Sequence, residues 1–309
     1  MKPETSPQES APPVRPAIVA VDLARRFGTL EAVRDVSMSV AQGEIFGLVG
    51  PDGAGKTTVM RMLAGVLRPD AGTIALEGID VVGEPERAKA VLSYMPQRFG
   101  LYEDLTVDEN IFFYGELFEL PKAQFRERRT ELLEAAGLAP FRRRLAGQLS
   151  GGMKQKLGLV CALIHTPRIL LLDEPTTGVD PVSRRDFWAI LYRLREQGVT
   201  IVMSTAYMDE AERCSRLALL HEGRVRCCDT PQRLKDIVRG SLLSVTGGDP
   251  RANAAALAEA PGVAGVLLMG DRVHVRVDDA ARRKDELTAR LDGQGLPHAR
   301  VEPVEPGIE

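Results

Sequence analysis

No apolar run in the chain approaches the ~18 residues a membrane span requires, so no crossing of a bilayer is expected from it. A dominant charge is also missing. The formal net charge is −3 over 309 residues, which argues against wholesale nucleic-acid binding. Cysteine is scarce, and Cys161, Cys214, Cys227 and Cys228 show no metal-ligand spacing. Cys161 falls in an apolar helical pattern and the adjacent pair follows a strand, so structural thiols in a reducing cytoplasm are expected. Residues 1–16 are rich in Pro, Ser and Glu and lack the apolar stretch of a signal peptide. A disordered tail, neither leader nor anchor, is the expectation there. The length suffices for one large core and a small second domain.

What is present is more specific. Gly50-Pro51-Asp52-Gly53-Ala54-Gly55-Lys56-Thr57-Thr58 fits G-x-x-x-x-G-K-[ST]. The apolar run of residues 45–49 before it reads as a buried parallel strand, and residues 58–67 after it read as a helix. A strand, a glycine-rich loop and a helix N-terminus together form an anion site: backbone N–H groups close on phosphate oxygens and the helix dipole favours negative charge. Lys56 is then expected to reach the β- and γ-phosphates and Thr57 to hold Mg²⁺. By itself this motif specifies only a nucleoside triphosphate.

About a hundred residues on stands Leu149-Ser150-Gly151-Gly152-Met153-Lys154-Gln155, followed by Ile169-Leu170-Leu171-Leu172-Asp173-Glu174-Pro175. The three motifs, in this order and spacing, resemble the ATP-binding cassette (ABC) ATPases. The resemblance implies that Asp173 helps to hold Mg²⁺ and that Glu174 polarises the attacking water. An unremarkable strand-end charge is the competing reading of Glu174. Leu92-Ser93-Tyr94-Met95-Pro96-Gln97 resembles the family's Q-loop, with Gln97 contacting the metal or its water and linking the core to a helical subdomain. Phe27, in Arg25-Arg26-Phe27-Gly28, stands where the family stacks an aromatic on adenine. A π face needs no hydroxyl. A core or turn aromatic is the alternative.

Thr176-Thr177-Gly178-Val179-Asp180-Pro181 resembles the D-loop, with Asp180 reaching the opposite site of a dimer. In the family two cassettes pack head to tail, and Ser150, Gly151 and Gly152 of one cap the γ-phosphate held by the other. The resemblance therefore implies a second ATPase domain, in a homodimer or a heterodimer. One family residue is missing. After the strand of residues 199–205 comes Ala206 where the family places a histidine on the γ-phosphate, and His165, His221, His274 and His298 all lie elsewhere in the sequence. Tyr207 is adjacent, but neighbours on a strand end point in different directions.

The antiparallel strands expected at residues 18–23 and 32–40 precede the phosphate loop. The helical subdomain is expected at about 98–163. Thr106 is an N-cap with Glu109 three residues on. Phe112, Phe113, Tyr114, Leu117 and Phe118 follow it and read mostly as core. In transporter ATPases this region also receives a coupling helix from the membrane subunit, so part of it can be a docking surface. The basic runs 126–129 and 142–144 read as solvated faces, with proximity to anionic lipid as the other reading. From residue 242 the order β-α-β-β-α-β, with a hairpin across Gly270-Asp271, reads as ferredoxin-like.

The expected architecture is thus α/β. A P-loop NTPase core with an antiparallel β subdomain and a helical subdomain occupies residues 17–240, and a ferredoxin-like α+β domain residues 241–309. Within the family, residues 50–53, 95–107 and 153–157 look most like the first ATPase half of bacterial tandem multidrug-type ABC-2 exporters. The expected function is an ATP-binding and ATP-hydrolysing subunit, a translocase-type ATPase, that powers an ABC-2-type permease from the cytoplasmic face of the plasma membrane. A regulatory cassette with a degenerate site, suggested by Ala206, is the alternative. A soluble ABC protein of translation or repair would carry tandem cassettes, zinc modules or coiled-coil insertions, which this sequence lacks. The end at residue 309 is read as truncation or as a natural break before a second ATPase half.

Overall fold

The computed structural model describes residues 16–238, 242–296 and 299–304. The expected N-terminal tail, apart from Pro16, and the last five residues lie outside these. The chain divides into two compact units, Met1–Cys228 and Asp229–Glu309. The division falls at 228/229, whereas the sequence reading placed it at 240/241.

In the first unit, β1 (Pro16–Phe27) and β2 (Leu30–Ala41) pair across a tight turn at Gly28-Thr29, and β3 (Ile45–Val49) leads into the phosphate loop. Helix α1 (Lys56–Leu63) follows, then β4 (Ala71–Leu76), β5 (Ile79–Asp80), α2 (Pro85–Val91) and β6 (Leu92–Met95). The helical segment comprises α3 (Val107–Leu117), α4 (Lys122–Ala135) and α5 (Gly151–Leu163). Next come β7 (Ile169–Asp173), α6 (Pro181–Glu196), β8 (Thr200–Thr205), the single turn α7 (Met208–Ala211), β9 (Arg216–His221) and β10 (Arg224–Asp229).

Strands β2-β1-β4-β5 form one sheet and β10-β9-β3-β8-β7-β6 another. In the larger sheet β6/β7, β7/β8, β8/β3 and β3/β9 are parallel. The continuous apolar strands follow from this arrangement, because a parallel strand with layers on both faces has no solvated side. Ile45, Leu170, Leu172, Ile201 and Met203 point into a core shared with α3, α5 and α6, while Phe46, Leu48, Ile169, Leu171 and Val202 point into one shared with α1 and the antiparallel sheet. Burying each such Leu or Ile contributes about 1.5–3 kcal/mol, so the loops at the carboxyl ends of these strands sit on a rigid base. The cysteine pair expected after a strand lies within one, at the end of β10. Its alternating, partly exposed pattern carries two arginines and no sequence signal distinct from a loop.

The capping box at α3 is formed from both sides. Thr106 Oγ1 accepts from the Glu109 N–H at 3.2 Å, and Glu109 Oε2 accepts from the Thr106 N–H at 2.8 Å.

The second unit contains α8 (Pro231–Val238), β11 (Leu242–Thr246), α9 (Pro250–Ala258), β12 (Val263–Met269), β13 (Arg272–Val277), α10 (Ala280–Gly293) and β14 (Arg300–Pro303). The sheet order is β12-β13-β11-β14 with antiparallel neighbours, the ferredoxin-like arrangement. Leu243, Val245, Leu257, Val273, Val275, Leu287 and Leu291 fill a core of their own.

Candidate active site

The phosphate loop runs from the end of β3 to the first residue of α1. Gly55 has φ +103°, and a Cβ there would lie 2.4 Å from the carbonyl oxygen of Ala32. Only glycine satisfies both the conformation and the space. Lys56, 4% exposed, donates to the carbonyl oxygens of Gly50 at 2.8 Å and Pro51 at 3.1 Å. Its ammonium also pairs with Glu174 Oε1 at 3.1 Å.

The strand-end carboxylates meet the two residues that open α1. Asp173, fully buried, accepts from Thr57 Oγ1 at 3.1 Å and from Ser204 Oγ at 2.6 Å, both at Oδ1. Tyr94 donates to its other oxygen over 3.4 Å, and burial followed by the Asp173 charge pushes the Tyr94 phenol up to about 12. Successive strand residues face opposite ways, so a straight continuation of β7 would turn Glu174 away from the loop. Its φ of +48° bends the chain instead. This is a strained conformation for a glutamate, and it is held by the Glu174 N–H donating to Ser204 Oγ at 3.0 Å and to the Ser204 carbonyl at 3.2 Å. Thus turned, the carboxylate accepts from Gln97 Nε2 at 3.1 Å and from Thr177 Oγ1 at 3.4 Å, in addition to Lys56.

A cleft of about 790 Å³ opens over these groups. Asp52, Gly53, Gly55, Lys56, Thr57, Thr58, Gln97 and Glu174 line it, together with Phe27, Leu30 and Ala32 and the charged Glu31, Arg34 and Glu222. Phe27 is 45% exposed, with the Arg25 guanidinium 5.0 Å from its ring centroid. Gly50, Pro51 and Ala54 complete the loop without lining the cleft. Oxygen donors of the kind Mg²⁺ prefers, a hydroxyl and a carboxylate, meet at Thr57 and Asp173. The described residues contain no cluster of three or more His, Cys, Asp or Glu that could hold a metal by itself.

Ser150, Gly151, Gly152 and Asp180 are not among the cleft-lining residues. Ser150 caps α5 and accepts from the Met153 N–H at 3.3 Å. Asp180 caps α6, accepting from the N–H groups of Val182 at 3.1 Å and Ser183 at 2.9 Å, and the bond from Ser183 holds its carboxyl below the usual range. The two caps adjoin: a Cβ on Gly152 would sit 2.4 Å from Ser183 Oγ. Ala206 is exposed, and next to it the Tyr207 ring lies under the Arg184 guanidinium at 4.6 Å. The sequence reading missed Ser204, Tyr94, Thr177, Leu30 and Ala32. The only available signal was for Ser204, a hydroxyl residue directly after the apolar run Ile201-Val202-Met203.

A family model described as ABC transporter matches residues 33–177. The probable multidrug ABC transporter ATP-binding protein YbhF of Escherichia coli is 41% identical over 93% of this chain, which spans half of YbhF's length. The daunorubicin resistance ATP-binding protein DrrA2 of Streptomyces coeruleorubidus is 34% identical, with 93% of this chain and 90% of DrrA2 covered. The Nod factor export ATP-binding protein I of a Rhizobium strain is 40% identical over 75% of this chain and 78% of its own. Among solved structures, an ATP-binding subunit of an ABC transporter superposes with a TM-score of 0.66 at 29% identity, covering 72% of this chain and 92% of its own. The dimeric structure of a bacterial ABC transporter cassette superposes with a TM-score of 0.63 at 25% identity, covering 69% and 98%.

Proposed function

The chain belongs to the ABC transporter ATPase family, and from that premise we propose that it binds MgATP in the cleft and hydrolyses it to power an ABC-2-type membrane exporter. The meeting of Lys56, Thr57, Gln97 and Glu174 at one cleft, with Asp173 buried and bonded to Thr57, carries this reading. Lys56 would exchange its loop carbonyls and Glu174 for the β- and γ-phosphates. Thr57 and Asp173 would hold Mg²⁺, with Gln97 at the metal or its water. Bound there, the ion would neutralise charge building on the phosphates. Glu174, relieved of Lys56, would accept hydrogen-bond donation from the attacking water and polarise it. Phe27 would offer a face to adenine beside Leu30 and Ala32. Gly50, Pro51, Asp52, Gly53, Ala54, Gly55 and Thr58 would supply the loop around the phosphates.

The cleft contains no signature residue, which supports a head-to-tail pairing with a second cassette whose Ser150, Gly151, Gly152 and Asp180 counterparts complete the site. The permease would dock on the exposed aromatics of the helical segment, Tyr102, Phe112, Phe113 and Phe118 with Leu117. No described helix is long and apolar enough to cross a membrane, so attachment at the cytoplasmic face would be peripheral. A boundary at 16/17, a helical subdomain at about 98–163 and a C-terminal unit that starts at the 228/229 division complete the proposal.

Ala206 supports a second reading, a slow site in a cassette that regulates an active partner. A methyl group cannot donate to the γ-phosphate.

Copurification with the membrane partner, followed by measurement of ATP binding and of substrate-stimulated hydrolysis, tests both readings. Lys56→Ala is expected to abolish ATP-dependent function. A native complex that binds ATP but owes none of its hydrolysis to this site would favour the regulatory reading. Full stimulated activity in Lys56→Ala would overturn the first.

A further inference from the structure

Glu210, on the single turn α7, is fully buried. A buried carboxylate is costly unless charge-paired and hydrogen-bonded, so its partners identify what it is for. Thr176 Oγ1 donates to Oε1, and Trp188 Nε1 donates to the same oxygen at 3.4 Å. Thr205 Oγ1 donates to Oε2 at 2.7 Å. Arg184 Nε lies 3.7 Å from Oε1.

If neutralising a buried charge were the whole purpose, Arg184 and any nearby amides would suffice. The two hydroxyls come from particular places instead. Thr176 is two residues past Glu174, and Thr205 is the residue before Ala206. The other two partners stand on α6, whose N-cap is Asp180. Thr205 Oγ1 also accepts from the Tyr207 N–H at 3.0 Å, and the Arg184 guanidinium covers the Tyr207 ring. One carboxylate therefore ties the segment leaving Glu174, the segment entering residue 206 and the helix behind the Asp180 cap.

We propose that Glu210 is a positioning residue for hydrolysis: it fixes the end of β7 and the end of β8 to α6, so that Glu174 keeps its bent conformation and residue 206 its place while the phosphates change. The proposal rests on Glu174 as the group that polarises water. Glu210 is not among the residues that line the cleft. It acts through Thr176 and Thr205, and it does so where Ala206 leaves the segment without a side-chain anchor of its own.

The test uses the full chain assembled with its partner cassette and permease, and MgATP, with equilibrium ATP binding, single-turnover hydrolysis and the thermal midpoint measured side by side. Glu210→Gln retains the shape and one accepting oxygen but sets an amide N–H against at least one of the present donors and removes the charge facing Arg184. Losing hydrogen bonds to a charged acceptor predicts a fall in turnover of about ten- to a hundredfold, with the ATP dissociation constant within about twofold of native. Thr176→Val and Thr205→Val each remove one hydroxyl and should give smaller losses. Both should become nearly silent in the Glu210→Gln background, since residues of one network are not additive. Turnover at the native rate in folded Glu210→Gln would overturn the proposal. So would loss of turnover and ATP affinity in equal proportion, the mark of a general packing role. Should Glu210→Gln not fold, the threonine variants decide, and native turnover in both overturns the proposal. A native complex that binds ATP at this site and hydrolyses none there would remove the reading of Glu174, and this inference with it.

Discussion

The carboxyl ends of β7 and β8 lie side by side, with Asp173 opposite Ser204 in the parallel register, yet they are built on different principles. The β7 end displays charge: two consecutive carboxylates, one fully buried against Thr57 and Ser204, the other bent back onto Lys56. The β8 end displays hydroxyls and a methyl group. Ser204 holds Asp173 and the Glu174 backbone, Thr205 binds Glu210, and Ala206 is exposed without a polar group. Reactive groups and the groups that restrain them are thus divided between neighbouring strands. The contrast is testable at single residues.

Glu174→Gln should have the largest effect of these. It removes the acceptor for the attacking water, and positioned general bases are worth about 10²- to 10⁴-fold in rate. The amide can still bond to its neighbours, so ATP binding should persist and a closed dimer should accumulate. Hydrolysis measured at saturating ATP, with dimerisation followed by light scattering, checks both parts. Fast turnover in this variant would leave the β7 end without its assigned role.

Ala206→His should move rate in the opposite direction. A donor aimed at the γ-phosphate acts where charge shifts in the transition state, and one such contact is worth on the order of 3 kcal/mol, or about a hundredfold. Ala206 is exposed, which leaves room for an imidazole, although the Tyr207–Arg184 stack beside it constrains the rotamer. Single-turnover hydrolysis by the assembled dimer reads the gain. No change despite bound ATP would mean that the missing histidine is not what limits this site.

Ser204→Ala should cost less. It deletes one bond to a buried carboxylate and one from the strained Glu174 backbone, and hydrogen bonds to charged groups contribute about 1.5–3 kcal/mol. Turnover should fall about tenfold or more as Glu174 loses its bend, and the thermal midpoint should drop. Retention of both would show that the residue-204 carbonyl, with the Lys56, Gln97 and Thr177 contacts, holds Glu174 without the hydroxyl.

The difference between the strand ends also explains what could be read in advance. The phosphate loop and Asp173-Glu174 carry their chemistry in local sequence, so Lys56, Thr57, Asp173 and Glu174 could be named from spacing and resemblance; Lys56, Thr57 and Glu174 line the cleft, and Asp173 is buried against Thr57. The hairpin at 263–277 was equally accessible, because Gly270-Asp271 marks its turn. Glu210 was not. In sequence it belongs to Asp209-Glu210-Ala211-Glu212, the acidic first turn of a short helix, which ordinarily faces solvent. Its burial depends on Thr176 and Trp188, 34 and 22 residues away, and no local pattern encodes that meeting. The bend at Glu174 was hidden for the same reason, since Ser204 imposes it from the neighbouring strand.

Removing residues 242–309 should have the smallest effect on nucleotide binding. The cores beneath the cleft are composed of residues 17–220, while the core of the second unit draws only on residues 243–301. Neither apolar set needs the other to be buried, as expected of domains able to fold alone. Every cleft-lining residue lies between 27 and 223, so the deletion touches no group that would contact ATP. The shortened chain should fold by circular dichroism and bind ATP within about twofold of the full chain, a change below ~0.4 kcal/mol. Effects, if present, should appear in the stability of partner assembly or in regulation. A folded deletion variant that cannot bind ATP would mean that the strand ends of the first unit owe their arrangement to the second, and the contrast between β7 and β8 would then no longer be a property of the cassette alone.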